Sequence, residues 1–174
     1  FIYVYGVEDN PKDRKLLVAR VPQDRFDKPS AWRFWDGGGW TADMDLAAPV
    51  ATHVSNELSV SPIRLNDGSV IYALIYQHNG TSPFICARIG RLPYADFGPA
   101  EPIYKCPERE NDPTGKVFTY NAKGHPHLSE PGTLLISYNV NTFNDTGEFI
   151  EYGEIYHPRF IELTYALQDD VVDE

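Results

Sequence analysis

The sequence has one Met, two Cys and only 15 basic residues against 25 acidic ones, giving a formal charge of −10. Its basic residues are scattered, so no patch is set to follow a phosphate backbone. Nucleic acid and anionic membrane are therefore poor partners, and a neutral or cationic ligand is the easier one to accommodate. No apolar run approaches the roughly 20 residues that a membrane-spanning helix needs. A long helix is also disfavoured, because 14 Pro and 13 Gly interrupt the chain at short intervals. There is no Gly-rich phosphate loop, no CxxC pair, no HExxH and no GxSxG elbow, so phosphate, zinc and serine-hydrolase chemistries lose their usual signatures. Neither a cofactor nor a metal is expected.

What the chain does have is a repeat. NELSVSPIRLNDGSVIYALIYQ (56–77) returns as YNAKGHPHLSEPGTLLISYN (120–139). Gly132 falls on Gly68 at a spacing of 64 residues, with Pro126 on Pro62, His125 on Ser61 and Asn121 on Glu57. Each copy reads as a strand, a tight Gly turn and a second strand rich in Leu, Ile and Tyr. LLVARV, FICARI and YHPRFI follow the second strands and place Arg20, Arg88 and Arg159 at spacings of 68 and 71. A period of that size, made of short strands, points to an all-β fold of the β-propeller kind with four-stranded antiparallel blades. The aromatic share of 13% suits packed sheets.

In chain order the units run over about 1–50, 54–107 and 117–166, forming one partial domain, with an acidic tail at 167–174. FIYVY (1–5) aligns with second strands, LLVARV with a third, and AWRFW (31–35) reads as a fourth, closed by the DGGGW turn. Residues 41–49 are a connector of low periodicity. The second unit has ELSVSPI, SVIYALIY, FICARIG and EPIYKC. The third has VFTYNAKGHPHL, TLLISYN and IYHPRFIELTY, with an insertion at 141–154. Two nearly complete blades and a leading partial one cannot close a ring. A preceding N-terminal segment, or a second chain, is expected to complete it.

Cys86 and Cys106 fall on the third and fourth strands of the second unit, where a disulfide across the hairpin and two buried thiols are the competing readings. Asn79-Gly80-Thr81 and Asn144-Asp145-Thr146 are glycosylation sequons in polar, loop-like segments.

LLVARVP with AWRFWDGGGW, ELSVSP with its DG turn, FGPAEPIY, and the NAKGHP and SYN pair before HPRFIEL together resemble a family of secreted, glycosidase-like five-bladed β-propellers. That family was long catalogued as domains of unknown function, and some bacterial members are implicated as endo-acting D-arabinanases. The likeness covers the C-terminal three-fifths of such a domain. It is similar more broadly to furanosidase propellers, whose carboxylates sit on innermost strands around a central funnel. The resemblance implies a secreted glycoside hydrolase-like domain acting on a furanoside-containing polysaccharide, with part of the catalytic set outside this stretch. A carbohydrate-binding propeller without catalysis and a protein-interaction module are the alternatives.

Glycoside cleavage needs two carboxyl groups flanking the bond. Glu57 opens an inner strand beside Asn56 and Ser59, which can bond sugar hydroxyls, and it is the candidate general acid; the competing reading is a solvated Glu at a strand start. Tyr120, Asn121, Lys123, His125 and His127 crowd the equivalent strand of the third unit. Strict alternation would put Asn121, Lys123, His125 and His127 on one face as a sugar-binding wall. Buried backbone partners are the plainer role for the two histidines, and His-X-His alone lacks the further ligands of a metal site. Trp32, Trp35 and Trp40 read as core between blades, with sugar stacking the lesser reading. The recurring arginines read as a structural element of each blade.

Overall fold

β-Branched and aromatic residues at alternate positions, cut by Gly and Pro turns, build twelve strands in three antiparallel sheets in the computed structural model, which describes residues 1–65, 67–95, 97–143 and 155–165. The described residues contain no α-helix, only four three-residue 3-10 turns. The first sheet has β1 (Ile2–Glu8), β2 (Lys15–Val21), β3 (Arg33–Trp35) and β4 (Trp40–Thr41) in order, with β5 (Ala51–Thr52) also paired to β2. The second runs β6 (Leu58–Arg64), β7 (Val70–Gln77), β8 (Phe84–Gly90) and β9 (Glu101–Lys105). The third runs β10 (Val117–Gly124), β11 (Thr133–Thr142) and β12 (Arg159–Thr164).

The repeat seen in the sequence is a structural one. Gly68 at φ +86° and Gly132 at φ +83° sit in the β6–β7 and β10–β11 turns, where a left-handed backbone favours glycine. The second sheet lies between the other two. Along β7, Ala73 and Ile75 join Ile85, Ala87, Val117, Ala122, Leu134 and Ile136 in a core shared with the third sheet. Leu74 and Tyr76 point the opposite way, into a core with Leu16, Ala51 and Val54. Burial on both faces is why VIYALIYQ is an almost unbroken apolar run. β11 alternates instead: Leu134, Ile136, Tyr138 and Val140 are buried, while Leu135, Ser137, Asn139 and Asn141 are half-buried. It therefore packs one face on the second sheet and turns a polar face away.

A buried polar node also joins these sheets. Gln77 is fully buried, and its Nε2 donates to Thr119 Oγ1 at 2.9 Å and to the Ser82 carbonyl.

Two expectations need correction, and a third question is decided. AWRFW is not a five-residue strand, because Pro29 starts a 3-10 turn through Ala31 and β3 begins only at Arg33. In IYHPRFIELTY the strand starts after Pro158, at Arg159. The two cysteines are free. A register shift at Ile85–Cys86 pairs Cys86 with Pro102, while the Cys106 amide bonds the Pro83 carbonyl at 2.8 Å. Cys86 packs towards the first sheet and Cys106 towards the third, so no bridge spans the hairpin. The Asn144 sequon, most of the 141–154 insertion and the 167–174 tail lie outside the described residues.

Candidate functional site

Two regions carry the candidate residues. At the start of β6, Glu57 is exposed, and its carboxylate has no hydrogen-bond partner among the described residues. Asn56 Nδ2 donates to Asp9 Oδ2 at 3.3 Å, and Arg14 Nε donates to the other oxygen of Asp9 at 2.8 Å. Arg14 Nη1 also donates to the Asn79 carbonyl at 3.0 Å, tying the β1–β2 turn to the β7–β8 turn. Asp9 is thus the carboxylate that the fold brings to Asn56, and sequence reasoning missed it. Its signal was positional: a turn after a second strand lies at the same end of the stack as the start of the next inner strand.

This rim also holds His53 and His78, whose rings stack at 6.0 Å and 3°. His53 takes a left-handed φ of 58°, with its Nδ1 3.5 Å from Asp13 Oδ1. Burial, with His53 and Arg88 nearby, holds the His78 imidazole below its usual value. The sequon residue Asn79 is part of the rim, its Nδ2 donating to the Pro11 carbonyl at 3.3 Å. Among the described residues no three His, Cys, Asp or Glu side chains converge as metal ligands.

Ser59 is structural as well as polar, since its Oγ accepts the Gly124 amide at 2.8 Å and links β6 to the end of β10.

The second region is the face of the third sheet turned away from the core. Alternation fails in β10, because Tyr120 pairs with Asn139 and Lys123 with Ser137, leaving Asn121 and Ala122 opposite one residue of β11. Asn121 absorbs this bulge at φ 62°, a conformation that Asn tolerates better than most residues. The expected grouping is corrected accordingly. Tyr120, not Asn121, shares a face with Lys123, while Ala122 is buried in the core and Asn121 Oδ1 is covered and unpartnered. His125 joins that face, its Nε2 lying 2.7 Å from Ser137 Oγ. His127 does not, being exposed on the 3-10 turn Pro126–Leu128, with its ring 6.1 Å from that of His125.

Tyr120 is the hub of this surface. Its phenol lies near the side chains of Asn139, Asn141 and Tyr156, and burial with the Tyr156 hydroxyl pushes its pKa up. Its ring lies 5.4 Å from Phe118, which stacks on Phe143 at 4.2 Å. A cavity of about 230 Å³ opens beside it between Asn139, Tyr156, His157 and Pro158. Amides, phenols and exposed ring faces with few charges suit a ligand of many hydroxyls.

The tryptophans are largely packing groups. Trp35 and Trp40 pair across β3 and β4 and meet Tyr94 of the β8–β9 loop at 4.8 and 4.9 Å, bridging the first two sheets. Trp32 lies on Phe26 at 5.4 Å. Arg88 bonds Tyr76 Oη and the Gly98 and Thr52 carbonyls, and Arg159 pairs with Glu108 at 3.3 Å, so both act structurally.

Three stacked antiparallel sheets with a repeated hairpin define an all-β domain built of related units. A domain of unknown function, DUF5005, matches residues 1–165, and the chain belongs to that family. The fold is similar to the crystal structure of a "putative hydrolase" from Bacteroides ovatus ATCC 8483, with a TM-score of 0.61 and 21% identity over 91% of this chain. The match spans 41% of that longer protein. No curated protein matches the chain.

Proposed function

We propose that the three sheets are consecutive blades of a β-propeller that a preceding segment extends on the side of the first sheet, leaving the outer face of the third sheet open, and that the domain belongs to a secreted glycoside hydrolase acting on a furanoside-containing polysaccharide. The observation that carries this reading is the Tyr120 surface, where a phenol and two amides lie beside stacked rings on a half-buried sheet face. A packed core has no use for such a face, whereas a sugar chain is bound by that mixture of hydroxyl-bonding groups and flat apolar area. The Bacteroides ovatus neighbour, named as a hydrolase, is in keeping with this reading. In this reading Tyr120, Lys123 and His125 bind the chain, Glu57 is the general acid, and Asn56 beside it bonds a sugar hydroxyl. Asp9 is bonded to Asn56 at 3.3 Å, and the second catalytic group comes from blades that precede the three described.

A non-catalytic carbohydrate-binding role is the second reading. It is favoured by the exposed, unpartnered Glu57, since a general acid is normally held protonated by burial or by a close second carboxylate.

Affinity electrophoresis in arabinan, with a pyranose glucan as control, tests binding. Retardation by arabinan that falls about tenfold or more in Tyr120→Ala is expected, because loss of one stacking, hydrogen-bonding ring removes roughly 1–3 kcal/mol. Equal mobility of wild type and variant would sink the proposal. Reducing-sugar release by the full-length protein separates the two readings: Glu57→Gln should remove most turnover with binding kept if the domain is catalytic.

A further inference from the structure

The chain carries 25 acidic residues against 15 basic ones, and although the basic residues are scattered along the sequence, the fold gathers four of them at one place. A cavity of about 640 Å³ beside the end of β2 and the start of β3 is lined by Arg20, Arg25, Lys28 and Arg33, with Asp24 the single acid among its lining residues. Arg20 and Arg33 are direct cross-strand partners, an arrangement of like charges that destabilises a sheet unless something neutralises it. Screening does not remove the problem, because neighbours within one cavity lie inside the roughly 8–10 Å Debye length of physiological salt.

Arg20 also departs from the role of its repeat mates. Arg88 and Arg159 end on carbonyls, a phenol and a carboxylate, whereas Arg20 makes no hydrogen bond among the described residues. Its guanidinium lies over the Phe1 and Trp40 rings, 4.6 and 4.1 Å from their centroids. Arg33 is fixed by Nη1 bonds to the Ser30 and Trp32 carbonyls, at 2.9 and 2.7 Å. These two cations are therefore preorganised. Lys28 has only an exposed pair with Asp27 at 2.9 Å, and Arg25 is exposed with no partner among the described residues.

We propose that this cavity is an anion site, separate from the Tyr120 surface, that binds a sugar-sized ligand through an oxyanion group. Arg20 and Arg33 face the anion from the sheet, Arg25 and Lys28 close over it from the β2–β3 connection, and Phe1, Pro22 and Ala31 line an apolar side for a ring. The volume suits such a ligand, since small-molecule pockets run to about 300–1,000 Å³. A carboxylate and a sulfate or phosphate ester share the required chemistry, because guanidinium groups take either with charge-assisted bonds.

Calorimetry at constant ionic strength tests the proposal, using sodium glucuronate and sodium sulfate as separate probes and glucose as the neutral control. Saturable binding of at least one anion, with none of glucose, is expected. The double variant Arg25→Gln/Lys28→Gln should weaken it about tenfold with an unchanged circular dichroism spectrum, since both side chains are exposed. Binding of glucuronate alone would identify a carboxylate ligand, and binding of sulfate alone an ester. Absence of saturable binding by both, or a double variant that binds like wild type, overturns the proposal. Arabinan binding by the same variant should be unaffected, so failure here is distinct from failure of the Tyr120 reading.

Discussion

If the second sheet is covered on both faces, two adjacent residues of β7 should each be costly to truncate. Leu74 and Ile75 are both fully buried, but they point to opposite sides, Leu74 into the core with the first sheet and Ile75 into the core with the third. Truncation to Ala removes three carbons from either and leaves a cavity. The expected loss is about 2–5 kcal/mol for each, transfer and cavity terms together. A sheet with one open face would behave otherwise, because the outward substitution would then fall within about 0.5 kcal/mol. Urea unfolding followed by far-ultraviolet circular dichroism and by tryptophan fluorescence reads the difference. With an m-value of about 2 kcal/mol/M, a loss of about 3 kcal/mol lowers the midpoint by about 1.5 M. A domain in the middle of the ordinary stability range, about 10 kcal/mol, remains folded in water after either change. A midpoint shift below about 0.3 M in one of the two variants would refute the three-layer arrangement.

Further outcomes follow from the same contacts. The Asp112 carboxylate is held at about 2 by the Thr114 hydroxyl and by the amides of Val117, Thr114 and Lys116. Because this lies below the ordinary carboxylate value, its contribution is complete above about pH 4 and is lost as pH falls towards 2. Acid unfolding of Asp112→Asn should therefore lose part of its pH dependence in that window; a curve parallel to wild type would contradict it. Burial pushes the Cys106 thiol up to about 11 and raises Cys86 as well, so the native protein should resist thiol reagents near pH 8. Denatured without reductant, the chain should release two thiols, and a count of zero would mean a bridge.

The parts of this fold legible in the sequence are those where local pattern and tertiary burial agree. The paired Gly turns at 68 and 132, the apolar run of β7 and the alternation of β11 state their own structure. What was not legible depends on one-residue slips. Tyr-Asn-Ala-Lys reads as unbroken alternation, and only the pairing of Tyr120 with Asn139 and Lys123 with Ser137 reveals the bulge that exchanges Tyr120 for Asn121 on the outer face. The cysteines stayed undecided for a related reason: Phe84 pairs with Lys105, so Cys86 and Cys106 fall on opposite faces, a register that local pattern does not encode. The candidate site was half legible. Tyr120, Lys123 and His125 come together, but their partners Asn139, Asn141 and Tyr156 arrive from β11 and from the segment before β12. Asp9 reaches Asn56 across 47 residues of chain, a separation that no local pattern encodes.

The central claim is that the outer face of the third sheet binds a sugar chain, and a two-dimensional amide NMR titration with arabinan oligosaccharides tests it most directly. Saturable shifts at Tyr120, Lys123, Asn139 and Asn141, with the core residues Leu74 and Ile75 unmoved, are the predicted result. Shifts confined to residues elsewhere, or none at millimolar ligand, would contradict it.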